Sequence, residues 1–417
     1  MENAILVGLN TGDLKQFEYS MNEMRALLGA LNLIPKETFI QNLEHPVPAT
    51  YIGSGKVQEI SDYIKFEGAD VVVFEDTLSP VQLRNLQKAF DIRILDRTGL
   101  ILEIFSERAR TREAKLQVES AKLQYMMPRL IGMWEAIGRQ GGGSGSTSNK
   151  GIGETQLELD RRWIGRRIAE LRKELDEISH DRDIQRRKRE KGNIPLVSLV
   201  GYTNAGKSTI MNAMLNMSGR EEEKLVLEKD MLFATLDTSV RKISYEKNRE
   251  FLLSDTVGFL DKLPHDLIKA FRSTLEEVKF ADLLLFVVDI SDEHYREKIE
   301  VTRKTIAELG AENIPCIYVM NKADMASERI IHPRIQDNRI FISAKNKKDI
   351  KELISFIEKS VWGNSRNYRI TVPYTNGSLA AAIRSEGIIN FEEYREDGIY
   401  LDCDVPMHLA GVIDKMY

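Results

Sequence analysis

Leu196-Val-Ser-Leu-Val200 runs straight into Gly201-Tyr202-Thr203-Asn204-Ala205-Gly206-Lys207-Ser208-Thr209, and a helical pattern opens behind it. A buried-strand run, a loop of the form G-x-x-x-x-G-K-[ST] and a helix, in that order, make a phosphate-binding loop in the context its chemistry requires. The glycines let backbone N–H groups converge on phosphate oxygens, and the helix amino terminus adds positive potential. Lys207 is expected to reach the β and γ phosphates, and Ser208 to ligate magnesium. The stretch predicts an α/β fold with a mostly parallel sheet over about residues 194–362.

A phosphate loop does not choose a base. The choice comes from Asn321-Lys322-Ala323-Asp324, placed directly after the strand-like run Cys316 to Met320. The Asp324 carboxylate can accept two hydrogen bonds from guanine, from N1–H and from the 2-amino group, donors that adenine does not present in that arrangement. Leaving such an acceptor unpaired is costly, and sites of this kind reject the wrong ligand by about 10⁴-fold. A third element, Asp255-Thr256-Val257-Gly258, ends the run Phe251 to Ser254. Its aspartate is expected to hold magnesium through water, and the Gly258 amide to meet the γ-phosphate. Between these lies Phe233-Ala234-Thr235-Leu236-Asp237, where Thr235 is the candidate second magnesium ligand and Thr238 its competitor. Ser343-Ala344-Lys345 follows the run Arg339 to Ile342 and is expected to contact guanine through backbone amides. Five elements in this order specify a GTP- and GDP-binding, magnesium-dependent G domain, with Lys207, Thr235 and Gly258 closest to the chemistry.

The residue after Gly258 bears on mechanism. Ras-like enzymes carry there a glutamine that orients the attacking water, whereas this chain has Phe259. Phenylalanine can neither orient water nor donate a proton, so slow intrinsic hydrolysis stimulated by a partner is expected.

Outward from this domain, residues 1–98 alternate strand-like runs (Ala4 to Gly8, Ala69 to Glu75, Ile92 to Leu95) with helical ones (Leu14 to Ala30, Val57 to Phe66, Pro80 to Phe90), which predicts a small α/β domain. Residues 99–193 carry apolar stripes at helical spacing, first Leu102, Phe105, Ala109, Leu116, Leu123 and Met127, then Leu157, Ile164, Ile168, Leu171, Leu175 and Ile178. They predict two long helices, the first ending near Pro128, paired antiparallel about a glycine-rich tip over 138–153. The tip reads either as a flexible tether or as a loop that orders on a partner, with Arg129, Arg139 and Lys150 at hand. Arg161 and Arg162, with Arg166, Arg167 and the run Arg186-Arg-Lys-Arg-Glu-Lys191, read either as a solvated helix face or as phosphate contacts on RNA. Residues 363–417 predict a small α+β domain without a catalytic constellation. Tyr51-Ile-Gly-Ser-Gly-Lys56 is a second glycine-lysine turn, either a helix cap or a second nucleotide site.

Apolar residues make up 42% and charged residues 29% of the 417, which excludes a disordered chain, and the net charge of −5 confines any nucleic-acid surface to local patches. Only Cys316 and Cys403 occur, both in apolar runs, which points to packing rather than to disulfides or metal. No apolar stretch reaches the roughly 20 residues of a membrane span, and the amino terminus lacks the pattern of a signal peptide. A cytoplasmic monomer is expected.

The chain resembles one family closely, the HflX GTPases of the translation-factor-related G proteins. The likeness rests on Tyr51-Ile-Gly-Ser-Gly-Lys56, Leu95-Asp-Arg-Thr-Gly-Leu-Ile-Leu102, Arg108-Ala-Arg-Thr-Arg-Glu113, Gly153-Glu-Thr-Gln-Leu-Glu158 with Asp160-Arg161-Arg162, Phe233-Ala-Thr-Leu-Asp237 and Asp255-Thr-Val-Gly-Phe259. At the tip the family's Gly-Pro-Gly-Glu is replaced by Gly151-Ile-Gly-Glu154. The resemblance implies a GTPase that binds the large ribosomal subunit, with members that split stalled or stress-arrested ribosomes. It also implies a hairpin tip that approaches the peptidyl-transferase region of ribosomal RNA, and hydrolysis stimulated by the ribosome.

Overall fold

The computed structural model describes residues 2–140, 148–190, 194–218, 233, 239–246, 249–256, 258–260, 276–326, 330–363 and 365–416. The chain divides into two compact units, one formed by residues 1–185, 229–237 and 262–273, the other by 186–228, 238–261 and 274–417.

The first unit opens with β1 (Glu2–Asn10), α1 (Leu14–Ala30), β2 (Leu33–Asn42), α2 (Ser54–Glu67), β3 (Val71–Phe74), α3 (Pro80–Phe90) and β4 (Arg93–Leu95). The strands form an all-parallel sheet in the order β2-β1-β3-β4. Val71 to Phe74 are fully buried, as expected of a central parallel strand covered on both faces. Local chemistry sets the helix starts. Asp13 accepts from the Gln16 amide at 3.1 Å, and Ser79 and Gln82 form a reciprocal capping box with Pro80 in the first turn. The sequence reading lacks β2. This edge strand, Leu-Ile-Pro-Lys-Glu-Thr-Phe-Ile-Gln-Asn, buries only Leu33 and Phe39 and carries a proline that only an edge tolerates, so neither alternation nor an apolar run marks it.

The predicted first long helix is two. α4 (Arg97–Arg108) ends at Ala109, and α5 (Arg112–Gln140) starts after Thr111, whose hydroxyl accepts from the Ala114 amide at 3.1 Å. The stripe spacing survives the break, which hides it from a periodicity argument. A boundary at residue 98 falls inside the first turn of α4, whose Leu100, Ile101, Leu102, Ile104 and Phe105 are buried. Nor does α5 end near Pro128; it continues to Gln140. Proline removes one N–H from the ladder, and contacts on either side hold the helix through it. Tyr125 Oη donates to Asp96 Oδ1 at 2.6 Å, and the Arg129 guanidinium donates to Asp96 Oδ2 at 2.8 Å, to the Leu78 carbonyl at 3.2 Å and to the Tyr125 carbonyl at 2.8 Å. Asp96 is completely buried and also caps α4 through the Gly99 amide. Arg129 is thereby the counter-charge of Asp96.

α6 (Ser148–Glu190) runs antiparallel to α5: Arg112 pairs with Glu174 at 2.7 Å, Arg167 with Glu119 at 2.8 Å, and Arg182 with Glu113. Leu116, Val118, Ile164, Ile168 and Leu171 are buried. Helix occupies 138–140 and 148–153 of the predicted tip; residues 141–147 lie outside the described residues.

In the second unit, β5 (Leu196–Gly201), α7 (Lys207–Met217), β6 (Ser239–Glu246), β7 (Arg249–Asp255), β8 (Leu283–Asp289), α8 (Tyr295–Glu308), β9 (Cys316–Asn321), β10 (Arg334–Gln336), β11 (Arg339–Phe341) and α9 (Lys347–Trp362) build a seven-stranded sheet, order β10-β11-β9-β8-β5-β7-β6. It is parallel except for the edge pairs β6–β7 and β10–β11. Its core includes Val197, Leu199, Leu285, Val319 and Ile340, with Ile210, Met214, Leu353 and Ile357 from the helices. The chain closes with β12 (Ser365–Val372), α10 (Gly377–Glu386), β13 (Ile388–Arg395), β14 (Gly398–Pro406) and α11 (Met407–Met416), an antiparallel sheet β12-β14-β13 with its own core. Cys403 lies in that core, where burial pushes its thiol up to about 11, as a packing residue would be.

Candidate nucleotide-binding site

The loop Gly201–Gly206 leaves the end of β5 and feeds α7 through Gly206, whose φ of 96° is the left-handed region that a side chain would strain. A Cβ there would also fall 2.3 Å from Asn321 Nδ2, so the loop and the base-selecting segment close on each other only because position 206 is glycine. Lys207 folds back over the loop and donates to the Gly201 and Tyr202 carbonyls at 3.0 and 2.8 Å. Burial lowers its amine to about 8, and the nearby Asp255 carboxylate acts in the opposite sense. A buried ammonium of this kind is stabilised by an incoming phosphate. Ser208, in the first turn of α7, donates to Asp255 Oδ2 at 2.8 Å, and Asp255 is completely buried at the end of β7. A hydroxyl and a carboxylate brought together at the mouth of the phosphate loop are the hard oxygen donors that fit magnesium.

Gly258 and Phe259 lie against the loop. The Phe259 amide donates to the Gly201 carbonyl at 3.1 Å, and the Thr203 amide donates to the Phe259 carbonyl at 2.8 Å. A Cβ on Gly258 would come within 2.7 Å of Thr203 Cγ2 and 3.1 Å of Lys207 Nζ, so this glycine permits the close approach. The Phe259 ring is 1% exposed, which puts an apolar group where a water-orienting amide stands in Ras-like enzymes.

On the base side, Asn321 donates from Nδ2 to the Ala205 carbonyl at 2.9 Å and accepts at Oδ1 from the Ala344 amide at 3.0 Å. The sequence motif gives no hint that one side chain would tie the phosphate loop to the Ser343–Lys345 loop. Lys322 has φ 60° and pairs with Asp289 at 2.6 Å. Asp324 stands exposed on a short 3₁₀ turn, Ala323–Met325, and accepts no hydrogen bond among the described residues, which leaves both its oxygens for a ligand. The Ser343 amide is taken by Asp349 Oδ2 at 2.7 Å.

Phe233, in the first unit, is 2% exposed and packs edge-on against Phe105 with ring centroids 4.7 Å apart. Ala234, Thr235, Leu236, Asp237 and Val257 lie outside the described residues, as does the competitor Thr238. Arg161 and Arg162 are exposed on α6, with Arg162 paired to Glu158 at 2.6 Å, while the side chains of Arg139 and Lys150 lie outside the described residues.

Three family models match in succession: GTP-binding GTPase N-terminal over 18–106, GTP-binding GTPase Middle Region over 108–189, and 50S ribosome-binding GTPase over 196–322. The GTPase HflX of Lacrimispora saccharolytica is 41% identical over 417 residues, covering 99% of this chain and 96% of that relative. The chain belongs to the HflX family of GTPases. The Escherichia coli GTPase HflX is 39% identical over 403 residues, covering 95% and 92% of the two chains. Among solved structures, a GTP-binding protein from Sulfolobus solfataricus in complex with GDP is similar at 24% identity and a TM-score of 0.46, over 86% of this chain and all (100%) of that one. As an HflX-family member the chain is a GTP hydrolase. Among the described residues no helix is long and apolar enough to cross a membrane.

Proposed function

We propose that the chain binds the large ribosomal subunit and couples GTP binding and hydrolysis to ribosome splitting or rescue, with turnover slow alone and stimulated by ribosomes. The observation that carries this reading is Phe259: its buried ring follows Gly258 where hydrolysis needs a water-orienting group, and its backbone is bound to the phosphate loop. A group supplied by a partner in such systems is worth about 10³–10⁵ in rate. The G-domain model that matches residues 196–322 is described as a 50S ribosome-binding GTPase, which points to the kind of partner.

In this reading the Gly201–Thr209 loop cradles the phosphates, Lys207 follows the β and γ groups, and the Gly258 amide reports the γ-phosphate. Ser208 and, through water, Asp255 would hold magnesium, which would supply charge neutralisation across the phosphates, with Thr235 proposed as its second protein ligand. Arg161 and Arg162, exposed on the α6 face, with Arg139 and Lys150 nearer the tip, contact ribosomal RNA. The protein acts as a cytoplasmic monomer.

The test is sedimentation of ribosomes with the protein and GTP, a non-hydrolysable analogue or GDP, alongside turnover with and without ribosomes. Co-migration with the large subunit under the analogue and a stimulation of about 10²-fold or more are expected. Fast turnover of the isolated chain, or no nucleotide-dependent co-migration, overturns the reading.

A further inference from the structure

Asp349 lies in the third position of α9, completely buried, six residues beyond Ser343. The helix is already capped by Asn346, whose side chain accepts from the Lys348 amide at 2.9 Å, so Asp349 is not needed as the cap. Its carboxylate turns back instead. Oδ2 accepts from the Ser343 amide at 2.7 Å and meets His332 Nδ1 at 2.5 Å, which requires the imidazole proton on that nitrogen. Oδ1 is buried and has no hydrogen-bond partner among the described residues, so the charge rests on two donors and on the positive end of the α9 dipole. His332 comes from the segment between the Asn321–Asp324 element and β10, and is itself only partly exposed.

The loop that follows Ser343 is held from three directions. Asp349 takes the Ser343 amide, Asn321 Oδ1 takes the Ala344 amide at 3.0 Å, and the Asn346 amide closes the turn on the Ser343 carbonyl at 2.9 Å. Two of these anchors are neutral. The third is a buried carboxylate, and hydrogen bonds to a charged group are the stronger kind. We infer that Asp349, braced by His332, is a positioning residue for guanine recognition: it sets the path of the Ser343–Lys345 loop so that the backbone donor the loop has left, the Lys345 amide, meets the guanine edge that carries O6. The inference rests on the reading of Ser343–Lys345 as a base-contacting loop.

The test compares three diphosphates on the full chain: GDP, inosine diphosphate, which keeps O6 and N1–H but lacks the 2-amino group, and 2-aminopurine riboside diphosphate, which keeps the amino group but lacks O6 and with it the N1–H. Asp349→Ala is expected to lower GDP and inosine diphosphate affinity about tenfold each, while the 2-aminopurine nucleotide changes less than twofold. Asp349→Asn, which retains an oxygen for the Ser343 amide, is expected to recover most of the loss. His332→Ala is expected to show the same pattern at about threefold. Equal losses for all three nucleotides would mean general loosening of the domain and overturn the inference. If Asp349→Ala does not fold, His332→Ala decides, because an unchanged ratio of GDP to 2-aminopurine affinity there also overturns it. The base-loop reading itself is tested with 6-thioguanosine diphosphate, which keeps N1–H and the 2-amino group and replaces O6 by the weaker acceptor sulfur: a wild-type chain that binds it as tightly as GDP would sink that reading.

Discussion

Gly55-Lys56 at the head of α2 and Gly206-Lys207 at the head of α7 look alike on paper and differ in the turn of the backbone and in the direction the lysine takes. At the second, Gly206 is left-handed at φ 96° and Lys207 is buried over the loop carbonyls. At the first, the cap residue Gly53 has an ordinary φ of −64°, its amide is already taken by Gln41 Oε1 at 2.8 Å, and Lys56 turns away to Glu59 at 2.7 Å. A glycine-lysine turn is set to bind phosphate when its lysine folds inward over the loop, as Lys207 does and Lys56 does not, and the turn at 51–56 reads as a helix start.

The sharpest way to break that contrast is charge removal at both lysines. Lys207→Ala is expected to weaken GDP and GTP binding by about 10²–10³-fold, while Lys56→Ala changes it less than about twofold, by isothermal titration. A comparable loss at Lys56 would put a second phosphate in the amino-terminal unit. Asp324→Asn separates base from phosphate recognition: GDP affinity is expected to fall by about 10²-fold or more with little change for inorganic phosphate analogues, and retention of guanine preference would move base selection elsewhere. Gly206→Ala is expected to destabilise by ~2–3 kcal/mol in urea unfolding, against under ~1 kcal/mol for Gly53→Ala, where only the end of the Gln41 side chain must yield. The smallest effect belongs to Gln41→Ala, ~1 kcal/mol for the exposed amide and no change in nucleotide affinity. New anion binding in that variant, seen as phosphate-dependent amide shifts at Gly53, would show that Gln41 had been occupying a latent site.

The chemistry was legible where a motif states its own geometry. Gly201–Thr209 and Asn321–Asp324 could be placed on strand ends because the runs before them, Leu196 to Val200 and Cys316 to Met320, are too apolar to be anything but buried strands. Helices α1 and α3 could be placed by their apolar periods. Features that depend on distant partners were not legible. Thr111 restarts a helix whose stripe never loses phase, Arg129 answers an aspartate 33 residues earlier, and Asp349 meets His332 across 17 residues. No spacing rule connects such residues, because tertiary packing brings the distant ones together. Asp349 did leave one trace, an acid in the first turn of a helix after Ser343-Ala344-Lys345, but first-turn acids are common enough on dipole grounds alone to pass unnoticed.

Asn321 carries a consequence for measurement. Its amide faces two loops with opposite polarity, nitrogen toward Ala205 and oxygen toward Ala344, so no flip of the group can satisfy either loop without depriving both. Substitutions that disturb the triphosphate end and the purine end of the pocket therefore act on one shared joint. Their free energies should fail to sum, by about 0.5–3 kcal/mol as residues in one network do, and replacing Asn321 should restore the sum.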